Sequence, residues 1–209
     1  MSVPARPVPA RVVVFIDAQN LYHKSQQRLG HDWIHPRKLA QALVDEDVRR
    51  ESRTNSHALH SVRFYTGVHD PNREPGKHAA MARRLYGYQA DGVEIIAIPL
   101  RYNQHGHARQ KGVDTRMCLD ILRLGQKGVF DIAIIVSEDS DLDPAVQDLY
   151  ELRDHERWIA AENALPWAPH SKPHWLPTAK RHRRITQAMI PAIVDKKSYS
   201  KNPSVWEFR

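Results

Sequence analysis

Residues 11–20 read RVVVFIDAQN and residues 131–141 read DIAIIVSEDSD. Each holds a continuous, β-branched apolar run of strand length that turns acidic as soon as it ends. A run this short, bounded by polar residues and apolar at nearly every position, marks a strand buried on both faces. Ser61–Thr66 (SVRFYT) and Val93–Leu100 (VEIIAIPL) have the same character, and Glu156–Ala161 (ERWIAA) is a weaker fifth run. Helix-length stretches lie around them at Leu21–Leu29, Pro36–Arg50, Lys77–Ala90, Val113–Leu124 and Pro144–Asp154. Strands separated by such stretches cannot close as tight hairpins and are joined by right-handed crossovers. The predicted fold is therefore α/β and doubly wound: a mostly parallel central sheet of about five strands with helices on both faces.

Local signals fit this frame. Val113, Met117, Ile121 and Leu124 make one apolar helical stripe, with Gly125 placed to end it. Asp143–Pro144 reads as a helix cap followed by proline at the first helical position. Residues 166–177 hold four of the 14 prolines together with Trp167 and Trp175, a composition expected of a connecting segment. Ile185, Met189, Ile190 and Ile193 then predict a last helix over Arg184–Val194, preceded by the basic run KRHRR (180–184). The expected organisation is a disordered lead-in over 1–10, one domain over 11–161, and a Pro/Trp-rich basic extension over 162–209 packed on that domain.

The composition narrows the function classes. In 209 residues, 41% are hydrophobic and 26% charged, as in ordinary globular domains. No apolar run is long enough to span a bilayer, and MSVPARPVPA lacks the apolar core of a secretory signal. The single Cys118 excludes an internal disulfide and any zinc site built on cysteine pairs. A reducing cytoplasmic location with no membrane partner is the expectation, and homo-oligomerisation is open. Formal charge is +7, with 11 Lys/Arg against 6 Asp/Glu after residue 150, so the excess sits largely in the C-terminal quarter and favours a polyanionic partner. The 13 histidines make the chain more positive towards pH 6, where polyanion binding should tighten.

The acidic residues fall where chemistry is expected. Asp17 ends the first strand, and Glu138, Asp139, Asp141 and Asp143 follow the fourth. In an open parallel sheet, ligands bind beyond the carboxyl ends of the strands where strand order reverses. If strands one to three run to one side and the fourth returns on the other side of the first, Asp17 faces Asp139 and Asp141 across that crevice. Asp114 joins them from the start of the preceding helix. Converging carboxylates repel one another, and oxygen-only ligands suit Mg²⁺ or Mn²⁺. Asp143 reads as a cap, whereas Asp17, followed by AQN, has no packing explanation.

These residues resemble the NYN domain family of PIN-like metal-dependent nucleases. FIDAQNLY (15–22) is similar to the family's Asp-x-x-Asn-Leu opening, KGVDTRMCLD (111–120) to its Lys-Gly-Val-Asp segment, and IIVSEDSDLDPAV (134–146) to its Ser-Gly-Asp-Ser-Asp element. The resemblance implies a PIN-like sandwich and a phosphodiesterase acting mostly on RNA. The family's carboxylates match Asp17, Asp114, Asp139 and Asp141. Asn20 matches its asparagine, in a place to hydrogen-bond a phosphate or hold Asp17. Asp120 matches a further family aspartate, but six residues along a helix turn it about 120° from Asp114, leaving it a supporting candidate. Two positions depart from the pattern: Glu138 stands where glycine is common and either adds a ligand or strains the turn, and Leu142 stands where an aromatic is usual. The implied mechanism is in-line displacement by water activated on one or two metal ions.

The same residues argue against other chemistries. A serine triad would lack a G-x-S-x-G elbow at Ser137, aspartyl-phosphatase chemistry would want an acid where Gln19 stands, and neither a Walker nor a G-x-G-x-x-G loop is present. Cys118 reads as a buried free thiol. The loop RYNQHGHARQK (101–111) offers Arg101, Arg109 and Lys111 with Tyr102, and HDPNREPGKH (69–78) offers Arg73 and Lys77 at the same sheet edge, as groups for binding single-stranded nucleic acid. KRHRR is a second candidate phosphate contact. The leading expectation is an endoribonuclease, with RNA ahead of DNA. The rivals are a non-hydrolytic RNA- or protein-binding module with an impaired metal site, and the same chemistry on DNA.

Overall fold

The computed structural model describes residues 4–51, 57–155, 157–197 and 199. Strand β1 (Ala10–Asp17) passes directly into helix α1 (Ala18–Leu29), and α2 (Pro36–Glu51) follows. Next come β2 (His57–Val68), α3 (Pro75–Ala90), β3 (Val93–Pro99), the short strands β4 (Arg101–Tyr102) and β5 (Ala108–Arg109), and α4 (Val113–Gln126). The order ends with β6 (Ile132–Val136), α5 (Asp143–His155), β7 (Ala160–Pro166), β8 (Arg181–Ile185) and the single turn α6 (Ile190–Ile193).

Six strands form one sheet in the order β3-β2-β1-β6-β7-β8, and all its pairings are parallel. The chain winds outward from β1 through β2 and β3, then returns to the other side of β1 with β6. The reversal of strand order thus lies between β1 and β6, where Ile16 is registered with Val136. Both strands end there, one in Asp17 and the other in Ser137, Glu138 and Asp139. Alternation along β1 shows why the run is apolar throughout. Val12, Val14 and Ile16 pack with Leu39 and Leu43 of α2, while Val13 and Phe15 pack with Met117 and Ile121 of α4 and Leu149 of α5.

Four expectations need correction. The sheet has six strands, because KRHRRI supplies β8 where a helix was expected; Arg183 and Ile185 point into the sheet, Arg183 pairing with Glu162 and donating to the Leu43 carbonyl at 3.1 Å. An apolar spacing that also suits a helix was overridden by that buried ion pair, and helical structure is confined to the turns after Thr186. The weak fifth run is shifted: β7 continues through the buried polar pair Glu162 and Asn163 to Pro166. Gly125 does not end α4 but lies inside it against Leu149, where a Cβ would come within 2.4 Å of a Leu149 methyl. The lead-in is not free from residue 6 onward: the Arg6 side chain meets His57 Nε2 at 2.7 Å and lies over Trp158. Its first three residues lie outside the described residues.

Candidate active site

Asp17 is both the last residue of β1 and the cap of α1. Its carboxylate accepts the Asn20 N–H at 3.0 Å, so the helix begins at the point where the acid is presented. Ser137, next after β6, donates its hydroxyl to Asp17 Oδ2 at 3.3 Å and accepts the Asp139 N–H at 3.2 Å. Asn20 Oδ1 accepts the Glu138 N–H at 3.2 Å, and Asp139 Oδ1 accepts the Asp141 N–H at 3.0 Å. Strand β1, helix α1 and the loop after β6 are therefore joined by one hydrogen-bonded chain through Asp17, Asn20, Ser137, Asp139 and Asp141. Asp114 comes from the other side, in the first turn of α4. Gly112 makes that placement possible: its φ of 85° turns the chain out of the β4–β5 hairpin into the helix, and Asp114 follows two residues on.

The electrostatics set these acids apart. Among the described residues, Asp17, Asp114, Asp139 and Asp141 have no cationic partner, although Asp17 is only 5% exposed. Four other buried acids are paired with cations, Asp131 with Arg11, Glu162 with Arg183, Glu138 with Arg28 and Lys24, and Asp120 with Arg63 and Arg116, whereas Asp143 is held by the Thr178 N–H and hydroxyl. Burial pushes the Asp17 carboxyl up to about 6; the Asn20 N–H draws it down, and the charge of Asp114 adds to the rise. Asp114 is itself raised by burial and then by Asp139 and Asp141. Cys118, one turn along α4, has its thiol pushed up to about 11 by burial and by Asp114, Asp139 and Asp141. It is half-buried and stays protonated, which removes it as a nucleophile.

Oxygen donors without cationic partners suit a hard divalent cation in their chemistry. Among the described residues, no three acidic, histidine or cysteine side chains stand close enough together to form a ready-made cage. Asp120 is not part of the cluster. It faces β2, accepting the Tyr65 hydroxyl at 3.1 Å and pairing with Arg63 and Arg116, where it fixes α4 to the sheet. Glu138 is turned away as well: Arg28, bonded to it, also donates to the Pro166 carbonyl at 3.0 Å, so the pair ties the loop after β6 to α1 and β7. Burial raises its carboxyl, but the bonds from Arg28 and Lys24 outweigh this and hold it below the ordinary range. The residue that departs from the family pattern is a brace and not a ligand.

The proposed nucleic-acid contacts lie on the β2–β3 side. Arg101 and Arg109 are cross-strand partners in the β4–β5 hairpin, both exposed, and Lys111 is exposed just before Gly112. Arg73 stacks over Tyr102, whose hydroxyl accepts the Asp70 N–H at 3.1 Å, so the two basic loops are joined to each other. Lys77 pairs with Glu74 at 3.1 Å and lines a cleft between α1 and α3. None of these five forms an ion pair with the carboxylates.

Two supporting residues escaped the sequence reading. Asn163 donates to the carbonyls of Ile135 and Ser137, each at 2.9 Å, and accepts the Leu176 N–H at 3.0 Å, holding the end of β6 in place. A lone amide inside AAENALP was the available signal. Asp143, read as a cap, instead reaches across to Thr178, accepting its N–H at 3.0 Å and its hydroxyl at 2.7 Å.

The NYN domain model matches residues 11–163, which span every strand from β1 into β7 and all the carboxylates above. No curated protein sequence matches the chain. A crystal structure of a protein of unknown function from Vibrio parahaemolyticus superposes with a TM-score of 0.58 at 16% identity, covering 87% of this chain and 96% of that one. That similarity supports the fold alone, and no helix among the described residues is long and apolar enough to cross a membrane. With its sheet order, its opening Asp-x-x-Asn on β1 and α1 and its acidic loop after β6, the chain belongs to the NYN domain family, whose fold is nuclease-like and PIN-like.

Proposed function

We propose that the protein is a metal-dependent phosphodiesterase, an endoribonuclease that hydrolyses RNA at the crevice between β1 and β6. The observation that carries this reading is the almost fully buried Asp17, which has no cationic partner and whose carboxyl is raised by burial and by the charge of Asp114, itself raised by burial, Asp139 and Asp141. Asp17, Asp114, Asp139 and Asp141 would hold Mg²⁺ or Mn²⁺. The ion would supply charge stabilisation and an activated water for in-line displacement. The chain's own residues do the rest. Ser137 and the start of α1 orient Asp17, the Asp139 side chain caps its own loop, and Asn20 stands between Asp17 and the Glu138 backbone, within the crevice, to hold a phosphate or keep the two loops in register. The exposed Arg101, Arg109, Lys111, Arg73 and Lys77 lie along the same edge to receive the strand's backbone.

The test is cleavage of end-labelled single-stranded and hairpin RNA, and of DNA of the same sequence, by wild type, Asp17→Asn and Asp139→Asn with Mg²⁺, Mn²⁺ or chelator. Metal-dependent cutting of RNA, lost by at least about a hundredfold in both variants, is the expected result. Cutting that survives both substitutions overturns the site. Equal cutting of both polymers overturns the RNA preference. RNA binding without cutting in any metal makes the protein a binding module.

A further inference from the structure

The cleft between α1 and α3 has no part in the carboxylate chemistry, yet it opens directly beside it. It encloses about 660 Å³ over the C-terminal half of β2. Ala18 and Gln19, the two residues after Asp17, form one lip, and Gln110 from the end of the hairpin segment forms another. Its walls are unusually aromatic: Tyr22, Trp33, Phe64 and Tyr88 line it, with Trp33 held between Tyr22, at 4.9 Å between ring centroids, and the Arg84 guanidinium, 3.4 Å from its ring centre. Gln19 and Gln110 bring two amides to the cleft, Thr66 is buried there with its hydroxyl donated to the Gly67 carbonyl, and Lys77 and Arg84 line it while paired with Glu74 and Asp195.

We infer that this cleft receives one unstacked nucleobase of the RNA strand whose neighbouring phosphate lies at Asp17, so that the protein selects unpaired nucleotides. Two features favour this occupant. The volume is within the range of small-ligand pockets and suits a single nucleotide. Flat apolar walls with amides at the rim match a base, which has a stacking face and a hydrogen-bonding edge. A base inside a duplex cannot reach such walls without leaving its stack. The inference rests on the nuclease reading for the position of the phosphate, and extends it to the choice of substrate.

Saturation-transfer NMR on the full chain in chelator tests the cleft without cleavage, using AMP and ribose 5-phosphate as probes. The base protons of AMP should be saturated more strongly than its ribose protons, and ribose 5-phosphate should show little transfer. Ala80→Trp places a large ring in the cleft from an exposed position on α3, and should weaken AMP at least about tenfold. Gln19→Ala, at another exposed side chain, removes a rim amide without adding bulk and should weaken it in the same direction. AMP that is held no better than ribose 5-phosphate, or that binds Ala80→Trp as it binds wild type, overturns the assignment. The two readings fail separately. Base-proton saturation in a protein that cuts nothing sinks the nuclease and keeps the cleft, whereas metal-dependent cutting with an unchanged KM in Ala80→Trp sinks the cleft alone.

Discussion

Asp17 is held where its charge is unfavourable, and that cost is measurable. Raising a carboxyl from 3.8 to about 6 corresponds to about 3 kcal/mol, against of order 10 kcal/mol from burying the apolar side chains of β1 that precede it. The strand therefore tolerates the acid, but at a pH-dependent loss. Because the folded protein holds this proton more tightly than the unfolded chain, the stability it contributes is present below about pH 4 and disappears as the pH rises through about 6. Asp17→Asn keeps the oxygen that caps α1 and loses the charge. It should raise the unfolding free energy in metal-free buffer by up to about 3 kcal/mol at pH 8, and by almost nothing at pH 4, in denaturant titrations. A variant less stable than wild type at pH 8 would show that the carboxylate is compensated in solution.

Between elements, the loop after β6 is positioned from outside itself. Asn163 on β7 is fully buried and spends its amide on the carbonyls of Ile135 and Ser137 and on the Leu176 N–H. Asn163→Ala leaves these groups buried without partners, and should destabilise the fold by about 2–4 kcal/mol while lowering cleavage beyond what the lost folded fraction explains. Urea titration and initial rates on the folded protein separate the two effects, and a rate unchanged per folded molecule would restrict Asn163 to stability. The elements that carry chemistry were legible because their signals are local: an apolar run buried on both faces, an acid at its end, an apolar stripe along α4. Those that failed depend on distant partners. Nothing in KRHRRI announces that Arg183 will meet Glu162, and nothing near Glu138 announces Arg28, 110 residues before it, so a brace looked like a ligand or a strain. Strand order, which the alternation of strands and helices made readable, sets the ends of β1 and β6 side by side, with Asp17 on one and the loop carrying Asp139 and Asp141 after the other.

Across the whole molecule, the carboxylates without cationic partners lie apart from the exposed basic loops. Asp17 and the loop with Asp139 and Asp141 follow the adjacent ends of β1 and β6, while Arg101, Arg109 and Lys111 stand exposed beyond β3, and Arg73 and Lys77 are exposed on the segment after β2. A strand that spans both regions should depend on salt through its phosphates. Replacing Lys111 or Arg101 by Ala should weaken RNA binding similarly for all sequences and reduce the slope of log affinity against log salt by about one each, read from fluorescence anisotropy at several salt concentrations. Unchanged slopes would remove the hairpin from the interface. Most direct for the account as a whole is Mn²⁺ binding, followed by the electron paramagnetic resonance signal of the free ion, in wild type, Asp17→Asn and the Asp17→Asn/Asp139→Asn double variant. If the four unpaired carboxylates are a cation site, wild type binds Mn²⁺, the single variant binds at least about tenfold more weakly and the double variant shows no specific binding. Equal Mn²⁺ affinity in all three proteins, or none in wild type, would contradict it.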